Sequence, residues 1–117
     1  MKWEFLRQQQ RSLRLKEVFD HLGANFPDRI TLRDAAKIAR LTPAQFTRLF
    51  KSVAGMTFVA YLTHLRLTNS LRLLKETDDT IAEIAAAVGF ADQSYFDKRF
   101  KKSYNQTPRD FREHRSI

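Results

Sequence analysis

An all-α domain is the fold class this sequence predicts, on three observations. Its 117 residues hold only three Gly and three Pro, its apolar residues recur at three- and four-residue intervals, and no stretch alternates polar and apolar for long. The length suits about one domain. Seven helical elements can be placed in order.

The first helix is expected over Ser12 to Asn25, where Leu15, Val18, Phe19 and Leu22 fall on one face, and "FPDR" ends it. Trp3, Phe5 and Leu6 find no place in this scheme. Residues 1–10 therefore read as an extension or the tail of a connector, with Met1 as the start of a small natural protein left open. The second helix is short. It starts in "TLRDAAKIAR", where Thr31 caps and Asp34 sits at the third helical position, favourable to the helix dipole. In "TPAQF", Thr42 caps the third helix, Pro43 takes the first helical position without losing a hydrogen bond, and Gln45 completes a capping box. Gly55 supplies the left-handed residue that stops it.

A longer helix runs from about 57 to 76, with Phe58, Leu62 and Leu65 on one side and Leu67, Leu71 and Leu74 on another, so it should meet two sets of neighbours. Thr80 and Glu83 form a capping box for the fifth helix, which Gly89 closes. Asp92 caps the sixth, Asn105 ends it as Gly55 ended the third, and Thr107 with Pro108 starts a seventh that reaches about His114.

The halves repeat. "TLRDAAKIARLTPAQFTRLFKS", from Thr31, parallels "TIAEIAAAVGFADQSYFDKRFKK", from Thr80, with one extra turn residue in the second copy. Past that insertion Thr42 pairs with Asp92, Phe46 with Phe96, Phe50 with Phe100, Lys51 with Lys101, Gly55 with Asn105 and Thr57 with Thr107. Each copy is a short helix, a tight turn and a second helix, the arrangement used to place a helix in a DNA major groove. Ala36 and Ala85 are small enough to let the paired helices cross closely. The expected architecture is two helix-turn-helix subdomains, about 31–55 and 80–104, joined by the helix at 57–76, within a domain spanning 11–117.

Composition limits the chemistry. Apolar residues make up 43% of the chain, yet no apolar run approaches the roughly 20 residues of a membrane span. "MKWEFLRQQQRS" turns polar after Leu6, unlike a secretory leader, so a soluble cytoplasmic protein is expected. With no Cys, thiolate catalysis, disulfides and Cys-based zinc sites are excluded, and His21, His64 and His114 lack ligand-like spacing. Ser, His and acidic residues follow no nucleophile or general-base pattern, so neither an enzyme nor a cofactor is expected. Lys and Arg number 21 against 13 Asp and Glu, a net charge of +8 that calls for an anionic partner.

"RLTNSLRLL", "IAEIAAAVGF", "SYFDKRFKK" and "NQTPRDFR", with "FTRLFKSVAGMTFVAYL" in the first half, resemble the DNA-binding domain of the AraC/XylS family of bacterial transcription regulators, over about residues 11–115. Departures are few: Arg40 stands where the second copy has Gly89, Ser70 and Asn105 replace frequent alanine and glycine, and Ala91 stands where serine is common. Arg40 is the least comfortable, since a left-handed residue bearing a side chain costs about 1 kcal/mol, and a different bend in the first turn is one way out.

The resemblance implies double-stranded DNA as partner, transcription regulation with activation the expected sign, and RNA polymerase as a further contact. It also implies a monomeric isolated domain, with dimerisation left to an N-terminal domain outside this sequence. It carries base or backbone contacts onto Ala44, Thr47 and Arg48 in the first copy and onto Gln93, Ser94 and Lys98 in the second. Periodicity separately groups Ala44, Arg48 and Lys51, and Ser94, Lys98 and Lys101, on stripes opposite the phenylalanines. Arg48 matches guanine O6 and N7, Gln93 adenine N6 and N7, Lys98 guanine or phosphate, and Asp97 can accept from cytosine N4, while Ala44 offers only a methyl. Lys51, Lys101 and Lys102, and the helix starts at Thr42, Asp92 and Thr107, are expected to meet phosphates. A linking helix of about 28 Å approaches the roughly 34 Å of one DNA turn, so an asymmetric site of two turns is expected. A basic helical module for acidic proteins or anionic membrane surfaces is the alternative.

Overall fold

A computed structural model describes residues 2–114; Met1, weighed above as a natural start, and residues 115–117, the expected end of the domain, lie outside the described residues. Seven helices and no strand are found among the described residues: α1 (Lys2–Asn25), α2 (Leu32–Ile38), α3 (Pro43–Ala54), α4 (Phe58–Glu76), α5 (Ile81–Ala87), α6 (Gln93–Tyr104) and α7 (Pro108–Glu113). The chain divides into two compact units between Leu62 and Thr63, a boundary that falls inside α4.

The first helix departs from expectation, because α1 begins at Lys2 rather than Ser12. No Gly or Pro precedes Gly23. The half anchored by Leu15, Val18 and Leu22, all buried, therefore propagates backwards through good helix formers at little cost. Trp3, Phe5 and Leu6 thus belong to a helix, yet every residue from Lys2 to Leu13 is exposed. Leu6 and Leu13 lie about 180° around the helix from the buried stripe, where the first unit's core cannot cover them.

In the first unit α1 packs on α2 and α2 on α3, with Ala35, Ala36 and Ala39 buried where the helices approach. Phe50 stands among Phe19, Phe46, Phe58 and Tyr61, with ring centroids 5.4 to 5.8 Å away. Tilted and edge-on rings at such distances add about 0.5–1.5 kcal/mol per pair beyond area burial.

The second unit repeats the scheme, with α5 on α6 and α6 on α7. Phe100 stands among Phe96, Tyr104 and Phe111 at 5.7, 4.7 and 5.9 Å. Arg112 of α7 donates to the carbonyls of Leu74 (3.2 Å), Thr77 (3.2 Å) and Asp79 (2.6 Å), tying α7 to the end of α4 and the turn after it. Ser70, out of pattern in the sequence, is fully buried, and its hydroxyl donates to the Leu67 carbonyl at 2.6 Å, so no polar atom is stranded. Leu65 and Leu71, expected on the apolar stripes of α4, are only half-buried, whereas Thr63 joins the buried set.

Caps set where the helices point. Thr31–Asp34, Thr42–Gln45, Thr80–Glu83 and Thr107–Asp110 are reciprocal capping boxes. Asp92 caps α6 by accepting from the Tyr95 amide at 2.7 Å. Gly55 (φ 77°) and Asn105 (φ 59°) end α3 and α6 in the left-handed region. At the α2–α3 turn Arg40 is also left-handed (φ 57°), so the different bend considered for it does not occur.

Candidate nucleic-acid interface

In α3 the buried Phe46 and Phe50 turn the opposite side outward, where Ala44, Arg48 and Lys51 are all exposed. The α2–α3 hairpin holds that face rigidly through the Thr42 capping box and the turn at Arg40. Thr47 is exposed on the same helix, but its hydroxyl donates to the Pro43 carbonyl at 2.8 Å, leaving its methyl as the freer group.

In α6, Phe96 and Phe100 are buried, and Ser94, Lys98, Lys101 and Lys102 are exposed. Gln93 and Asp97 line a concavity with Thr107, Pro108 and Arg109 of the α7 start, and Asp97 also lines one with Lys98, Lys101 and Lys102. The Gln93 amide nitrogen lies 3.5 Å from an Asp97 carboxylate oxygen, a weak hydrogen bond at best. Asp97 is half-buried, and its other oxygen has no hydrogen-bond partner. Thr47 and Asp97 thus turn back toward the residue four earlier, while Arg48 and Lys98 do not.

Arg48, Lys51, Lys98, Lys101 and Lys102 form no ion pair among the described residues. The surface pairs Lys16–Asp20 and Arg72–Glu76 lie on α1 and α4. The cations on the outward sides of α3 and α6 are therefore available to an external anion.

The caps contribute differently than their side chains suggest. The hydroxyls of Thr42 and Thr107 and the Asp92 carboxylate accept from amides of their own helices, so a phosphate would meet the first backbone amides instead. Pro43 and Pro108 remove one such amide each, and α6, without a proline at its start, keeps both Gln93 and Ser94.

No group of three or more His, Asp or Glu side chains that could hold a metal occurs among the described residues. No helix of the described residues is long and apolar enough to cross a membrane. Sequence reasoning did not connect the arginines of the exposed half of α1 with α3. Arg11 shares a surface concavity with Gln45, Arg48 and Leu49 of α3, and the signal was the Arg7, Arg11, Arg14 spacing.

Two hairpins with outward cationic second helices define a tandem helix-turn-helix protein. The model of the helix-turn-helix domain family matches residues 35–114, and the chain belongs to the AraC/XylS family. It is 34% identical over 100 residues to the regulatory protein PocR of Salmonella typhimurium, covering 86% of this chain and 33% of PocR. It is also 34% identical over 96 residues to the bifunctional transcriptional activator/DNA repair enzyme AdaA of Bacillus subtilis, covering 82% of this chain and 46% of AdaA. The chain thus spans a third to a half of these curated relatives. Among solved structures, a transcriptional regulator with an AraC-type DNA-binding domain from Chromobacterium violaceum superposes with a TM-score of 0.83 at 30% identity, over 90% of this chain and 94% of that one. Membership in this family is the reason a basic module for acidic proteins or membranes is not favoured.

Proposed function

We propose that this chain binds a specific double-stranded DNA site and regulates transcription, with activation as the sign, by inserting α3 and α6 into successive major grooves. The observation that carries this reading is the repetition. Each copy backs a capped helix with a buried phenylalanine pair and turns unpaired cations outward. Family membership and the relatives' names, regulatory protein and transcriptional activator, support the regulatory role.

Arg48 reads guanine through its two-pronged guanidinium, Lys98 reads guanine or holds a phosphate, and Ala44, Thr47, Gln93, Ser94 and Asp97 fill the remaining base-facing positions. Lys51, Lys101 and Lys102, with the amides at the helix starts by Thr42, Asp92 and Thr107, hold the backbone and set the register. The two faces differ, so the site is asymmetric. The chain acts by binding rather than catalysis, in the cytoplasm where its DNA resides. RNA polymerase is the further partner that activation requires, and the domain on its own binds as a monomer.

Selection from a pool of randomised duplexes followed by footprinting tests this. One asymmetric protected site of about 20 base pairs is the expected result. Equal binding to all sequences, with no enrichment after selection, would refute it.

A further inference from the structure

The first three turns of α1 extend beyond the first unit's core, since no residue before Leu15 is buried. They are strongly basic, with Lys2, Arg7, Arg11 and Arg14 against Glu4 alone. Arg7, Arg11 and Arg14 follow i, i+4, i+7 spacing and continue, along one side of the helix, the stripe that becomes Leu15, Val18 and Leu22. Where that stripe would otherwise be apolar it is cationic, and at Arg11 it comes beside α3.

Arg11 and Arg48 line one concavity with Leu41, Gln45 and Leu49, and no acid is among the lining residues. Arg7, Arg11 and Arg14 form no ion pair among the described residues. The concavity thus presents two guanidinium groups to an external anion.

The repeated scaffold does not demand these cations. The buried triplet Leu15, Val18, Leu22 recurs in α4 as Leu67, Ser70, Leu74, fifty-two residues on. Carried back along each helix, Arg11 corresponds to Thr63 and Arg7 to Val59. The second copy thus holds a buried hydroxyl and an exposed valine where the first holds exposed arginines.

We propose that Arg7 and Arg11 are a third DNA-contacting element, a cationic rail that grips phosphates of the strand beside the groove entered by α3. The inference rests on the DNA-binding reading above. Arg11 borders α3 beside Gln45, Arg48 and Leu49, at the edge of the outward Ala44–Arg48–Lys51 stripe, and from that edge the rail meets the duplex backbone while Arg48 reaches the base edges. Its contribution is to affinity and salt dependence, without sequence preference.

The test compares the unaltered protein, the double variant R7Q/R11Q, its charge-preserving counterpart R7K/R11K, and Arg48→Ala. Probes are a random-sequence duplex of about 30 base pairs and the duplex enriched by selection. R7Q/R11Q is expected to lower the slope of log affinity against log salt by about 2 on both duplexes, to leave their affinity ratio unchanged, and to leave thermal unfolding unchanged. R7K/R11K restores the slope, and Arg48→Ala collapses the ratio. An unaltered slope in R7Q/R11Q beside a collapsed ratio in Arg48→Ala overturns the rail and leaves the DNA-binding function standing. A changed ratio in R7Q/R11Q overturns the assignment to phosphates. Failure of the unaltered protein to bind either duplex overturns both readings together.

Discussion

Arg40 and Gly89 hold the same place in the two turns and both are left-handed, at φ 57° and φ 105°. Their amides donate to Lys37 and Ala86, at 3.0 and 3.1 Å. The next residues, Leu41 and Phe90, donate to Ala36 and Ala85, at 3.0 and 2.9 Å. That paired hydrogen-bond pattern is a Schellman motif in both copies, which requires the left-handed residue whatever its side chain. One turn meets the requirement with glycine and the other bears strain.

Arg40→Gly should therefore stabilise the first unit, by up to about 1 kcal/mol, because removing the left-handed penalty outweighs the added freedom of the unfolded chain. Gly89→Ala should destabilise the second by about 1–2 kcal/mol. Urea unfolding of both variants checks the opposite signs, and the idea fails if both move the same way.

Base reading by Arg48 and Lys98 should show as a loss of about 1–3 kcal/mol at the preferred site for each alanine variant, with little loss on random DNA. Lys51→Ala should weaken both duplexes alike and reduce the salt slope by about one. Titrations at several salt concentrations separate the two behaviours, and an equal loss on both duplexes for Arg48→Ala would contradict its role.

Acid should loosen α2 and α5. The Thr31 amide and hydroxyl hold the Asp34 carboxyl below its ordinary range, and those of Thr80 do the same for Glu83. A folded pKa below the unfolded one contributes stability that is present above the unfolded value and is lost as pH falls through the folded one. Stability should thus decline below about pH 4. D34N/E83Q should show a shallower acid decline than the unaltered protein, measured by thermal melts from neutral pH downward.

Arg112 ties α7 to the end of α4 and the turn after it with three hydrogen bonds. Arg112→Met keeps much of the stem but loses three hydrogen bonds to carbonyls, which should cost about 2–3 kcal/mol. Amide exchange should then rise in α7 and the turn at 77–80 before it rises in α3. Uniform exchange across the chain would argue that Arg112 does not act locally.

Most of the fold was legible because its signals are local. A Thr three residues before an Asp, Glu or Gln, a Pro at the first helical position, and Gly55 or Asn105 at an end act within one turn of the backbone, so spacing alone reveals them. The phenylalanine pairs were legible for the same reason, since Phe46 with Phe50 and Phe96 with Phe100 recur at helical spacing. The outward cations follow by elimination on each helix. The start of α1 was not legible, because nothing local marks an end where no cap or breaker exists.

By itself, the sequence determined the seven helices, their caps and the repeat, all of which depend on neighbours within a few residues. Only the tertiary structure decided that Arg40 accepts a left-handed backbone, that Ser70 is buried and satisfied, and that Arg11 comes beside Arg48. It also placed Asp97 between the start of α7 and the cations of α6. The burial of Ser70 and the meeting of Arg11 with Arg48 depend on residues distant in the chain being packed at one place, where close packing outweighs local preference.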